Sequence, residues 1–121
     1  MKSIAILLLS LPSLCLAARP LPPAAQQEVE HLVGYLEQSG CRFNRNGTWY
    51  SARDAKQHLN KKYAYLIRKD MLTTTESFIE LAASQSSVSG KPYLVQCGDG
   101  APQASGDWFR AELRRVRQSK P

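Results

Sequence analysis

The stretch Cys41–Leu59, CRFNRNGTWYSARDAKQHL, decides how this chain folds. Asn46-Gly47 stands between two groups of strand-forming residues and suits the two positive φ angles of a two-residue hairpin turn. Arg42-Phe43 and Thr48-Trp49-Tyr50 therefore read as two short antiparallel strands. Ser51 follows as a helix N-cap, and Asp54 three residues on approximates a capping box. Ala52, Ala55, Leu59, Tyr63, Leu66 and Ile67 then recur at helical spacing, so a long helix with one buried stripe runs to about Lys69. Two strands this short are marginal alone and need helices to cover them. The expectation is an α+β domain.

On the N-terminal side, Ala25, Val29, Leu32, Val33 and Leu36 mark a helix from Ala24 that stops at Gly40, a good residue just past a helix end. Glu28 and Glu30 sit early in it, where the helix dipole favours acids. Residues 18–23, with Pro20, Pro22 and Pro23, form an extended lead, and Pro22-Pro23 suits a helix start. Before them stands MKSIAILLLSLPSLCLA: a positive start at Lys2, an apolar stretch from Ile4 to Leu16, and a small-x-small site at Cys15-Leu16-Ala17. This is the pattern of a secretory signal peptide over residues 1–17, cleaved after Ala17. Leu14 before Cys15 argues against a lipid anchor. No later run approaches the roughly 18 apolar residues of a membrane helix, so residues 24–121 read as one domain.

On the C-terminal side, Thr73 and Glu76 suggest a second capping box, opening a shorter helix with Phe78, Ile79, Leu81 and Ala82 on its core side. A serine-rich connection, SQSSVS at 84–89, leads through Gly90-Lys91-Pro92 to a third strand at Tyr93-Leu94-Val95. Gly98 to Pro102 is a loop, after which Ser105 or Asp107 starts a last helix that buries Phe109, Leu113 and Val116. About four helices on a small two- or three-stranded sheet are expected.

The whole chain has 121 residues, a formal charge of +6 and 43% hydrophobic residues, with its aromatics spread from Tyr35 to Phe109. That composition excludes a disordered chain. Cleavage would remove Cys15 and leave Cys41 and Cys97, most simply a disulfide worth about 4 kcal/mol on the chain-entropy account. The alternative, a four-ligand metal site with His31 and His58, lacks the close paired spacing of zinc sites. No metal and no cofactor is expected.

The charge is uneven. Residues 42–69 carry eight Lys or Arg against Asp54 alone, whereas residues 18–40 carry Arg19 against three Glu. On the long helix His58, Lys62, Tyr65 and Lys69 fall along one line beside the buried stripe. That line reads either as a ligand-binding face or as an ordinary solvated one. Arg110, Arg114 and Arg117 on the last helix read as a solvated face, and His31 as an exposed residue opposite the core stripe. The Ser89-Gly90-Lys91-Pro92-Tyr93 turn reads as a tight turn or as an anion-binding nest of free N–H groups.

Signals for catalysis are weak. No G-x-S-x-G elbow and no P-loop is present, and both body cysteines are expected in the disulfide. A small hydrolase or transferase using Ser87 or Ser89 with His58 or Lys91 is the alternative to a binding module. Nucleic acid is not expected as a partner of a secreted chain. An acidic envelope protein, an acidic polymer, an anionic ligand or an anionic lipid surface fits better.

FNRNGTWYSARDAKQHL, TTTESFIELAASQSSVSGKPYLV and the GDG that follows resemble the YfeK-like family of small secreted bacterial proteins, from about Phe43 to Leu113. The resemblance rests on Arg45-Asn46-Gly47, Ala55, His58-Leu59, Glu76, Phe78-Ile79, Ala83-Ser84 and Ser86 through Tyr93. It implies a Gram-negative periplasmic location and no particular activity. The polar positions among these, Arg45, Asn46, His58, Ser87, Ser89 and Lys91, are expected to converge with Lys62 and Tyr65 on one binding surface.

Overall fold

The computed structural model describes residues 3–10 and 21–120. The expected cleavage site after Ala17 and the start of the Pro-rich lead lie outside the described residues. In chain order the elements are α1 (Pro23–Gln38), β1 (Arg42–Arg45), β2 (Thr48–Tyr50), α2 (Ala52–Arg68), α3 (Thr75–Phe78), β3 (Leu94–Gln96), β4 (Gln103–Ala104) and α4 (Ser105–Gln118). The four strands form one antiparallel sheet in the order β2-β1-β3-β4. The fourth strand was not expected: two residues after Pro102 carry no alternation that a sequence pattern could reveal.

The sheet lays Phe43 and Val95 on the helices, and these meet Leu32, Leu36, Phe78, Ile79, Ala82 and Phe109 in one buried core. Leu21, placed by sequence in the extended lead, belongs to that core. Trp108 is the larger surprise on α4. It stacks on Tyr35 at 4.6 Å between centroids and meets Phe43 edge-on at 5.5 Å. Val116, expected to be buried, is only half-buried.

Three local devices set the chain's direction. Asn46 and Gly47 have φ of 53° and 87°, the two left-handed residues a tight hairpin requires. Ser51 Oγ accepts from the Asp54 N–H at 3.2 Å and starts α2. The second capping box lies one residue later than expected. Thr74 and Ser77 exchange side-chain-to-backbone hydrogen bonds at 3.0 Å each. Ser77 fills the place because its short hydroxyl returns to Thr74 N, while Glu76 turns to Arg117 instead. Past Phe78 the helix widens into a π-helical turn, Ile79–Ala83, which buries Ile79, Ala82 and Ala83 together and leaves Leu81 at the core margin.

Arg117 is not the solvated residue its helix face suggested. It grips Glu28 of α1 through Nε to Oε2 at 2.9 Å and Nη2 to Oε1 at 3.0 Å, and also pairs with Glu76. Thr75 Oγ1 donates to the same Glu28 carboxylate at 2.7 Å. Glu28 thus serves as a pin between α1, α3 and α4, beyond any interaction with its own helix dipole. The Arg117 hydrogen bond, assisted by Thr75, holds its carboxyl down at about 2. His31 likewise has a partner: its Nε2 lies 3.1 Å from the buried Glu112 carboxylate, which Arg115 also holds.

Cys41 and Cys97 are bonded to each other, which rules out the four-ligand reading of these residues. The bond sits one residue outside the Arg42–Gln96 pair and closes the end of the β1–β3 ladder across a sequence separation of 56. Replacing both cysteines by serine should lower unfolding stability by about 2–4 kcal/mol in urea titrations, the usual range for a native disulfide. A loss under about 0.5 kcal/mol would mean the ladder holds without it.

Two glycines should respond in opposite directions. A Cβ at Gly106 would stand 2.5 Å from Ser84 Oγ, and that hydroxyl is tied to Ile79 O at 2.6 Å, so it cannot swing away freely. Gly34, inside α1, has open space around its Cβ position. Gly106→Ala should therefore lose about 1–3 kcal/mol through overpacking. Gly34→Ala should gain about 0.5–1 kcal/mol through helix propensity. Equal responses in thermal unfolding would contradict this packing account.

Candidate functional site

Strand alternation places Arg45 and Phe43 on the same face of β1. Tyr50 lies opposite Phe43 in the hairpin, and Tyr93, two residues before Val95, joins the same inner face. Near the hairpin end this face meets α2 at His58 and, one helical turn on, Lys62. Phe43 and Val95 fill the core, while Arg45, Tyr50 and Tyr93 continue their rows beyond it.

The resulting contacts form one network. Arg45 Nη1 donates to the His58 ring, closest to Nδ1, and Arg45 Nη2 reaches Tyr50 Oη at 3.4 Å. The guanidinium lies 4.9 Å from the Tyr50 ring centroid. His58 Nε2 is 3.2 Å from Tyr93 Oη. Lys62 Nζ donates to the same oxygen at 3.1 Å and to Gln85 O at 2.8 Å. An arginine can only donate, so the His58 nitrogen facing it must be the bare one. This assigns the ring proton to Nε2, directed at Tyr93 Oη. Tyr93 then accepts from both His58 and Lys62, and its own O–H remains to donate.

Electrostatics follow from that crowding. Burial first, then the charges of Arg45, Lys62 and Lys61, push the His58 ring down to about 4. Burial and Arg45 also lower Lys62, and burial raises the Tyr93 phenol. At neutral pH the cluster therefore holds a neutral imidazole and a protonated phenol beside the Arg45 guanidinium and Lys62. Neither Arg45 nor Lys62 has a carboxylate partner among the described residues.

The network borders a cleft of about 310 Å³. Arg45, Tyr50, His58 and Tyr93 line it together with Asn44, Asp54, Gln57 and Lys61, and below them lie the buried core residues Leu36, Phe43, Leu59, Ala82, Ala83 and Phe109.

Of the sequence-selected residues, Arg45, His58 and Lys62 meet here directly. Asn46 and Ser89 join the hairpin tip to the serine turn alongside: Ser89 Oγ donates to Asn46 Oδ1 at 2.5 Å, and Asn46 Nδ2 to Ser86 Oγ at 3.3 Å. Ser87 and Lys91 lie on that turn with exposed side chains. Tyr65 stands apart, 49% exposed, with Lys69 Nζ 5.9 Å from its ring centroid. The turn is not an open nest. Val88 and Ser89 N–H donate to Ser86 Oγ, Gly90 N–H to Ser86 O, and Lys91 N–H to Ser89 Oγ. Its amides are committed to shaping the turn, with buried Ser86 at the centre. Among the described residues no serine hydroxyl hydrogen-bonds His58.

Sequence reasoning missed Tyr50, Tyr93 and Ser86 as parts of this region. Tyr50 and Tyr93 both read as strand residues, and alternation alone does not say that one ring ends on Arg45 and the other on His58 and Lys62.

The fold and this network define a small disulfide-bonded α+β domain with a cleft edged by cationic and aromatic groups. The chain belongs to DUF5329, a family of unknown function, whose family model matches residues 23–117. No curated protein and no solved structure matches it.

His58 should make stability depend on pH. Below 6.5 the unfolded ring takes up a proton that the folded ring refuses until about 4. Stability from this residue is therefore complete above that window and is lost as pH falls through it. After discounting for the ring's partial exposure, the loss should be roughly 1–2 kcal/mol. Urea unfolding at pH 7.5 and 4.5 should show it in the wild type and show it reduced in His58→Gln. An identical pH difference in both would remove His58 as the cause.

Proposed function

We propose that this protein is a periplasmic binding module that takes an anionic ligand at the Arg45–Tyr93–Lys62 lip of the cleft. One observation carries the reading: two half-buried cations stand at the two ends of the His58–Tyr93 pair, Arg45 on the imidazole and Lys62 on the phenol, and neither has a carboxylate partner among the described residues. By contrast, Arg117 and Lys56 cross between elements to carboxylates, on Glu28, Glu76 and Glu37. Holding two unpaired positive charges near each other is costly in a partly buried site. A bound anion would remove that cost, because Arg45 and the Tyr93 O–H can donate to it while the Lys62 charge lies one hydrogen bond behind the phenol.

The location is supported by the apolar leader, whose residues Ile4, Ile6, Leu7, Leu8 and Leu9 are exposed and take no part in the core. The YfeK-like resemblance points the same way, as does the disulfide, which persists in an oxidising compartment. Binding is favoured over hydrolysis because His58 contacts an arginine and a tyrosine rather than a nucleophile.

The test is an NMR titration with sodium acetate and sodium phosphate against sodium chloride at matched ionic strength. Saturable shifts at His58 and Tyr93 are expected in the wild type, weakened at least about tenfold in Arg45→Gln/Lys62→Met, which removes about 1.4 kcal/mol or more of binding. Lys62→Met retains the apolar stem of the lysine. Equal shifts in variant and wild type would place the anion elsewhere.

A further inference from the structure

The lining of the cleft carries both signs of charge. Arg45 enters from β1, while Asp54, His58 and Lys61 come from α2. Steps of four and then three residues put these three along one stripe of the helix, with His58 in the middle and neighbouring Cβ atoms roughly 5–6 Å apart. Arg45 bonds that middle ring, so its guanidinium stands about one helical turn from Asp54.

Asp54 is exposed and pairs with no cation among the described residues, Arg45 included. The helix dipole accounts for an acid in the first turn of α2. It does not occupy the carboxylate, because the cap is made by Ser51 Oγ, which accepts from the Asp54 N–H at 3.2 Å. The cleft thus presents a cation and an anion that face the same space and are too far apart to bond each other.

Size and burial narrow the ligand further. A volume of about 310 Å³ lies at the small end of ligand pockets, roughly 300–1,000 Å³. The core beneath is closed, so a ligand gains its contacts from the polar lining and not from apolar burial. A simple anion would satisfy Arg45 but meet repulsion from Asp54, and a simple cation would do the reverse. A carboxylate and an ammonium carried on one carbon answer both groups at once, and the planar fork of a guanidinium matches the carboxylate.

Building on the anion-binding reading above, we propose that the cleft binds a free α-amino acid. Its carboxylate accepts from Arg45 and the Tyr93 O–H, and its ammonium donates to Asp54. Lys61, at the other end of the stripe from Asp54, enforces the same orientation by attracting the carboxylate and repelling the ammonium.

The probes are glycine, acetate and phosphate, titrated into the disulfide-bonded protein near neutral pH at matched ionic strength and followed by NMR. Glycine should bind at least about tenfold more tightly than acetate, which carries the same carboxylate without the ammonium. Asp54→Asn should abolish that advantage while acetate still shifts His58 and Tyr93, which also shows that the variant is folded. If Asp54→Asn unfolds, the Asp54 carboxyl carbon of the wild type decides, since glycine should move it more than acetate does. Glycine binding no more tightly than acetate or phosphate, or keeping its advantage in Asp54→Asn, overturns the amino acid and leaves the anion reading standing. If none of the three moves His58 or Tyr93, both fall together.

Discussion

The pairing of β1 with β3 is the constraint on which the other features of this fold depend. It joins residues from opposite ends of the domain, with Phe43 facing Val95 and Asn44 facing Leu94. The Cys41–Cys97 bond closes one end of that ladder. At the other end, one step beyond the Asn44–Leu94 pair, the next residues on the two strands are Arg45 and Tyr93. Register is therefore what sets the cleft's polar groups directly against the buried core. A slip of one residue would turn Phe43 outward and carry Arg45 to the far face of the sheet.

The charge pattern divides by purpose. Arg117 reaches from α4 to the buried Glu28 carboxylate of α1, and His31 of α1 meets the buried Glu112 of α4, which Arg115 holds within its own helix. Glu28 and Glu112 are deeply buried and each has two or more hydrogen-bond donors, as a buried carboxylate requires. On the opposite side of the chemistry, Arg45 and Lys62 answer to a neutral imidazole, a phenol and a carbonyl. None of these offers a negative charge. The contrast separates cations neutralised by carboxylates from cations held only by neutral groups.

Much of the architecture was legible because it rests on local chemistry. Asn46-Gly47 specifies its own turn, Ser51 its own cap, and the stripe from Ala52 to Ile67 its own helix. The missed features are those in which distant partners override local pattern. Trp108 is buried because Tyr35 and Phe43 come to it, and Glu28 because Arg117 does. The π-helical turn breaks the 3.6-residue period on which sequence patterns depend, so Leu81 and Ala83 exchanged their expected depths. At the site, Arg45, His58 and Lys62 stood out as polar residues within an otherwise explicable pattern. Tyr93 and Tyr50 did not, because an aromatic residue in or beside a strand needs no special explanation.

The long separation between the two central strands also orders events in time. The hairpin and α2 join near neighbours and can form early, but β3 must close a long loop before it docks, and non-local strand pairing is slow. Until then Arg45 and His58 are already close in sequence, but Tyr93 is missing and Lys62 has no phenol to meet. Site assembly and completion of the sheet are thus a single event, and a chain able to seat a ligand across this lip is one that has finished folding.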